Sequence, residues 1–536
     1  MRKLLLQLSF LLLLCATPAL ASDVYVSDAG AGGATGADCA NARSAAFFNN
    51  SANWPGTIGP DTIVHLCGTI GTTMSMQGSG TSGHLIFIVY EPGAKLSQAV
   101  CPSTGCFNGN GKNFWTMDGF GTGDNWTLTF TANGTIQSTA NGTALANQNA
   151  NSELINIDNT SNVTIQNMAL INAYVRTSTT DLAPSQPDPT ALHAQGASNL
   201  VVHNCLVHDS LWAIYFGLSA SNVTIDHCNI YNSDHDIVPA VVNQTLNLVL
   251  IHHNRMHDWS NWDSALPSPN KYHHDGIHLF QTSGGTYSNV YIYDNYFYGD
   301  SGANTTAHIF NEGSTAGTSI WVFNNIFTNI ASRSWSNGSL CLTIGDLGSA
   351  HAYNNTVVTV SGQAASLAKM QGTNDDWRNN VTILNNPGGG GPSVNQFGNT
   401  APTFVTGGLD YNFYGISPTT GQYFVKTCGS SCAFVNFATW KGLFAVGSNQ
   451  EANSVTDIPG NFAIDPVTGV PGTGSTLLNR GANLTALCSG NLASLCQDIN
   501  GAARPSSGAW TPGAVQSGAP PPPTVAPPTG LTTTPH

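Results

Sequence analysis

The chain has 536 residues, of which 8% are charged, and 15 Lys and Arg stand against 29 Asp and Glu for a net charge of −14. So few cations argue against a nucleic-acid binder and against unaided capture of a polyanion. Low charge together with 41% apolar residues and 57 glycines is not the composition of a disordered chain; it suits many short strands joined by turns.

Residues 1–21 read as a secretory signal. Arg2 and Lys3 form the basic start, Leu4 to Leu14 the apolar run, and Ala19 and Ala21 an A-x-A cleavage site. The run is shorter than the about 20 residues a membrane span needs, and no later segment is long and apolar enough to span. The expectation is export with no membrane span. Residues 22–112 are expected to hold an N-terminal cap and the first coils, 113–415 a repetitive core, and 416–516 a closing segment. Residues 517–536, rich in Pro and Thr, are expected to form an extended, disordered tail. Export permits disulfides. The local candidates are Cys39 with Cys67, Cys101 with Cys106, Cys428 with Cys432 and Cys488 with Cys496. Cys341 is left over, and Cys205 and Cys228 are either a bridge or two buried thiols.

The core repeats. NVTIQNMALIN (162–172), NLVVHNCLVHD (199–209), NVTIDHCNIYN (222–232), LVLIHHNRMHD (248–258), NVYIYDNYFYG (289–299), SIWVFNNIFTN (319–329) and SAHAYNNTVVT (349–359) share one pattern. Apolar residues alternate, a polar break follows, and the alternation resumes. Period-two alternation marks strands. The break column holds Met168, Cys205, Cys228, Asn254, Asn295, Asn325 and Asn355, with Asn380 and Asn412 as later members. Amides stacked at a turn can bond coil to coil and satisfy buried backbone groups. Between these segments runs a second family: LHAQG, AIYFG, DIVPA, GIHLF and AHIFN. Its positions 193, 215, 238, 278 and 308 step by 22, 23, 40 and 30, and the first family drifts with it. Two columns drifting together predict a solenoid with loop insertions.

These N-V-T-I-x-N-like repeats and the asparagine column resemble the secreted right-handed parallel β-helix proteins of the pectate-lyase-like superfamily. The resemblance covers roughly residues 22–517. It implies an all-β fold: a right-handed, single-stranded parallel β-helix of roughly ten coils with an Asn ladder. It leaves the reaction open, because this fold hosts lyases, hydrolases, epimerases and non-catalytic proteins. In the superfamily's pectate lyases the base is typically an arginine on or near the active sheet. No arginine of this chain falls in that column; Arg176 and Arg255 map elsewhere.

The chemistry-bearing residues gather around KYHHDGIHLF (271–280). With Ile277 and Leu279 inward, His278 and Phe280 point outward, and His308 and Phe310 are expected to do the same one coil later. His193 and Tyr215 fall in that outward column on earlier coils. The longest insertion, residues 259–275, returns to this strand. The resemblance implies that such a loop walls a cleft. It carries Trp259 and Trp262, whose faces could stack on sugar rings, and Lys271, His273, His274 and Asp275. Asp234 and Asp236 enter the preceding coil at the same corner, and Glu312 follows the His308 strand.

The functional reading is polysaccharide cleavage by lyase-type β-elimination. Lys271, His278 or His308 would be the base, and Asp234, Asp236 and Asp275 would hold Ca2+. The substrate would lie against His193, Tyr215, Trp259, Trp262, Phe280 and Phe310. A hydrolase would instead pair carboxylates from Asp236, Asp275 or Glu312. A transition-metal site at His273, His274 and His278 is a further alternative. A bland reading stands beside each. Outward histidines can simply stack, the tryptophans can pin a long loop, the aspartates can serve turns, and Lys271 can be a solvated lysine. The rival as a whole is a non-catalytic, glycan-binding or adhesive β-helix.

Overall fold

The computed structural model describes residues 23–140, 152–176, 189–263, 273–302, 305–312, 318–329, 340–344, 348–359, 366–370, 372–384, 394–397, 402–428 and 432–516. The signal-like residues 1–21 and the tail 517–536 lie outside them, as do Lys271 and the side chain of Cys341.

The chain is a parallel β-helix with three strands per coil. A 14-stranded sheet takes one strand from each coil, among them Ser161–Gln166, Ser198–His203, Ser221–Asp226, Thr245–His252, Thr286–Tyr293 and Ser319–Phe323. A 24-stranded sheet carries the other two faces. The second face holds short strands such as Arg255–His257 and Tyr296–Tyr298. The third holds Thr190–Gln195, Asp275–Thr282 and Ala307–Glu312. In two coils the second and third faces run on as single strands, Leu206–Gly217 and Asn229–Val242. The one antiparallel pair among the named strands is Phe424–Cys428 with Cys432–Val435.

Alternation builds the core. Val163, Leu200, Val223, Val249, Val290 and Ile320 are successive register partners, and all are buried. Burying each such side chain contributes about 1.5–3 kcal/mol. At the turn after this sheet the amide column forms as the repeat implied. The Asn254 side chain and backbone N–H both donate to Asn295 Oδ1, at 3.1 and 3.0 Å. The same contacts run on through Asn325, Asn355, Asn380 and Asn412. Each amide also reaches a strand carbonyl, as Asn295 does to Ile251 at 2.9 Å. The residue before each column member is left-handed: Asn167, Asn204, His227, His253, Asp294, Asn324, Asn354, Asn379 and Tyr411 have φ between 51° and 62°. Asn, Asp and His bear that conformation better than other side chains. His227 and His253 occupy this column for that reason.

The ends and one flank are closed. Phe48 and Trp54 bury against the first coils, and Trp440, on the short helix Phe437–Lys441, seals the last ones against Phe397 and Phe424. The final part of the closing segment does not cap an end. It folds back along the side, where Leu484, Leu495 and Trp510 cover the outward aromatics Tyr291, Tyr293, Phe323 and Tyr353 of the 14-stranded sheet. Disulfides join Cys39 to Cys67, Cys101 to Cys106 and Cys488 to Cys496. Cys205 and Cys228 are buried free thiols.

Candidate functional site

The outward column of the third face carries His193, Tyr215, Val238 and His278 on successive coils. His193 pairs with Tyr215 and their rings stack at 4.9 Å; Trp212, on the same strand as Tyr215, also stacks on it at 4.8 Å. Val238 follows Tyr215 in register. On the next coils, however, Ile277 pairs with Ile309 and His278 with Phe310. The expected His278–His308 pair does not form. The step is 32 residues rather than 30, and His308 falls two places earlier along its strand. There it is buried among the Trp259, Phe297 and Phe327 rings. Burial drives its pKa down to about 3. His308 and Ile309 thus both face the core, and the in–out alternation breaks at the start of this strand, a local departure that the repeat does not announce.

The loop tryptophans are corrected too. Trp259 and Trp262 are both 0% exposed and offer no face to a sugar. The Trp259 indole donates to Asp236 Oδ2 at 3.0 Å, and the Trp262 indole donates to the Asn232 carbonyl at 3.2 Å. They pin the start of the insertion, residues 259–263, to the coil beneath. Asp236 is consequently an internal residue, and burial raises its carboxyl well above the usual range. His274 is likewise internal, its Nε2 2.6 Å from the Ser301 carbonyl. Asp234 binds the His235 Nδ1 at 2.9 Å. Two groups of convergent ligand atoms occur among the described residues, and neither contains Asp234 or Asp236. The expected aspartate trio for calcium is therefore not assembled.

What the fold does assemble is a cluster of three imidazoles around one buried carboxylate. Asp275, the first residue of its strand, pairs in register with His235. Its Oδ1 accepts the Ala307 backbone N–H at 2.9 Å. Its Oδ2 has no hydrogen-bond partner and is buried. Three nitrogens face that oxygen: His235 Nε2 at 3.4 Å, His273 Nε2 at 3.8 Å and His278 Nδ1 at 3.8 Å. The His235 and His278 rings stack at 4.9 Å, and His273 stands edge-on to both. Asp275 is fully buried, whereas the His273 side chain is 38% exposed and forms the open side. At the rim, Glu312 Oε2 meets His278 Nε2 at 3.1 Å, and its side chain is 49% exposed.

The electrostatics follow from this crowding. Burial opposes charge on His235, yet Asp234 and Asp275 outweigh it and raise the imidazole to about 10. Burial also opposes charge on Asp275, but His235, His278 and His273 together lower its carboxyl. Burial lowers His278. The hydrogen bond from His278 lowers Glu312.

His235 and Trp212 were not singled out from the sequence, whereas His273 and His278 were grouped there with His274, which the structure buries away from them against Ser301. The signal for His235 lies in SDHD (233–236), between the two aspartates expected to hold calcium. The second convergent group is His203, Asp226 and His227, on the 14-stranded sheet. There Asp226 Oδ2 is already bonded to both imidazoles, at 2.8 and 2.7 Å.

No family model and no curated protein matches the chain. Solved structures similar to it include pectate lyase Pel9A, at 12% identity over 87% of this chain and 93% of that one, with a TM-score of 0.41. The GH136 lacto-N-biosidase from Eubacterium ramulus shows 13% identity over 81% of this chain and 67% of that one, with a TM-score of 0.39. PfbA, a surface adhesin of Streptococcus pneumoniae, shows 12% identity over 73% of this chain and 95% of that one, with a TM-score of 0.34. At this distance the likenesses carry no argument about chemistry. The chain's own strand register makes it a parallel β-helix whose third face carries a histidine–carboxylate cluster.

Proposed function

We propose that this chain is an exported, carbohydrate-active β-helix protein that cleaves a polysaccharide by β-elimination along its third face. One observation carries the reading. Partly exposed rings surround the His278 cluster: Tyr215 and Phe310 lie in its register column on coils to either side, Trp212 is in register with His235, and Phe280 follows His278 on the same strand. Aromatic faces supply large contact area to C–H-rich sugar rings. Tyr215 and Phe310 are three coil steps apart, roughly 14 Å, a length suited to several sugars laid across the strands. The disulfides support export.

The exposure of the carboxylates favours elimination over hydrolysis. Hydrolysis needs two carboxyl groups that both reach the scissile bond. Of Asp236, Asp275 and Glu312, the first two are 0% exposed and only Glu312 reaches the surface. Elimination needs one group to take the proton beside the uronate carboxylate as the neighbouring C–O bond breaks and the C=C bond forms, the departing glycosidic oxygen taking its proton from solvent in the open cleft. Glu312, oriented by His278, is the group within reach. A chain of net charge −14 also needs a cation beside that uronate, and the cluster behind Glu312 is the place to hold one.

The test is incubation of the full chain with a panel of uronate polymers, with and without added divalent cation. Unsaturated ends, seen by their ultraviolet absorbance, support the proposal. New reducing ends without that absorbance would make the protein a hydrolase. Glycan retention without any product would make it a binding or adhesive β-helix.

A further inference from the structure

We propose that His235, His273, Asp275 and His278 bind a divalent first-row transition-metal ion of the zinc class. The inference does not rest on the polysaccharide reading; it stands on the geometry of four side chains.

The first argument is convergence. The four ligand atoms all lie within 4.8 Å of one another. In a tetrahedral zinc site, with bonds of about 2.0–2.1 Å, neighbouring ligand atoms are about 3.4 Å apart. The Asp275 oxygen is already 3.4 Å from His235, and the 3.8 Å separations to His273 and His278 need to close only slightly. These distances are long for hydrogen bonds and right for ligands sharing one cation.

The second argument is the buried oxygen. Asp275 Oδ2 is fully buried and its nearest donor, His235 Nε2, is 3.4 Å away, a long contact for a buried carboxylate. A proton shared with His235 satisfies one direction only. It gives no reason for two further imidazole nitrogens to aim at the same atom.

The third argument is the surrounding shell. Imidazole ligands of metals commonly donate their other N–H to a carboxylate, which fixes the tautomer and the ring. His235 does this through Nδ1 to Asp234 at 2.9 Å, leaving Nε2 for the centre. His278 does it through Nε2 to Glu312 at 3.1 Å, leaving Nδ1 for the centre. Asp275 is held by the Ala307 N–H through its other oxygen. Three of the four ligands are thus oriented from behind.

The donor set decides the class of ion. Three imidazole nitrogens and one carboxylate oxygen suit zinc and its neighbours. Calcium takes roughly six to eight oxygens, which this cluster does not offer. The sequence-based expectation of calcium is thereby replaced, and the half-exposed His273 side is where a solvent or substrate oxygen would enter.

The experiment uses the full chain without a histidine tag, stripped with chelator and then titrated with zinc by calorimetry, with bound metal counted by mass spectrometry. One ion per chain is expected, and cobalt substitution should give visible ligand-field bands of a histidine-ligated site. The His273→Ala variant, chosen because the residue is half-exposed, should weaken zinc binding by more than about a hundredfold with an unchanged melting curve in chelator. His273→Gln serves the same purpose if that variant does not fold. His203→Ala, at the other imidazole group, should leave binding intact. Zinc binding that survives both changes at His273, binding lost in His203→Ala, or uptake of calcium but not zinc would overturn the proposal. None of these outcomes depends on glycan cleavage, so a failure here is distinguishable from a failure of the proposed activity.

Discussion

The His278 imidazole lies 5.0 Å from the Phe310 ring, its register partner on the next coil. That pairing separates two histidines that the repeat places side by side. His278 stays with the polar cluster, while His308 packs into an aromatic cage.

The two histidines therefore report on different things. His308→Ala should leave a cavity among Trp259, Phe297 and Phe327. A loss of about 2–4 kcal/mol is expected from such a large-to-small change, measured as a lowered urea midpoint. His278→Ala should instead remove glycan cleavage at a nearly unchanged midpoint. Equal loss of cleavage in both variants, per folded molecule, would contradict the assignment.

The aromatic residues divide in the same way. Tyr215→Ala and Trp212→Ala should weaken glycan affinity by roughly threefold to tenfold each, the size of one ring contact of about 0.5–1.5 kcal/mol. Trp259→Ala should cost about 3–5 kcal/mol of stability, as for a buried tryptophan. Affinity electrophoresis in a glycan-containing gel, run beside chemical denaturation, separates the two effects.

Asn325→Ala tests the ladder. It removes the acceptor for the Asn295 N–H and side chain, and the donor to Ile292 and Asn355. Each buried group left unpaired costs about 1–3 kcal/mol, so the variant should be among the most destabilising single changes in the core. Hydrogen exchange at the Asn295 amide should quicken sharply.

Two buried acids give stability a defined pH dependence. Burial raises Glu451 and Asp375 to about 7. The folded state then holds protons that the unfolded chain has released, so stability falls as pH rises from the unfolded carboxylate range, about 4, to about 7, and levels off above it. Glu451 accepts from the Trp440 indole and the Tyr414 hydroxyl, each at 2.9 Å, and a glutamine oxygen can keep both bonds. Glu451→Gln should flatten the decline. An unchanged slope between pH 4 and 7 in thermal melts would show that the buried acid is not its source.

The legibility of the molecule follows from which features repeat. The inward columns were readable because coil after coil restates them, and the ladder because six successive coils do, from Asn254 to Asn412. The site was only partly readable because it lies where the repeat is interrupted. The insertion before Asp275 lets His273 approach His235 from outside the strand pattern, a meeting that no periodicity encodes. Trp259 and Trp262 looked like platforms because a sequence does not distinguish a ring facing solvent from one pinned beneath a loop. His308 departs from the expectation because the strict alternation fails at the start of its strand, where Ala307, His308 and Ile309 are all buried before Phe310 turns outward.

The returning C-terminal segment has a mechanical consequence. In an ordinary solenoid each turn leans only on its neighbours, and an end can peel away. Here Gln497 and Arg504 grip Asn324, Ala514 grips Thr356 and Ala482 grips Asn379. Three successive rungs are thus belted from outside by one strap, and unzipping from the C-terminal end must first break that belt.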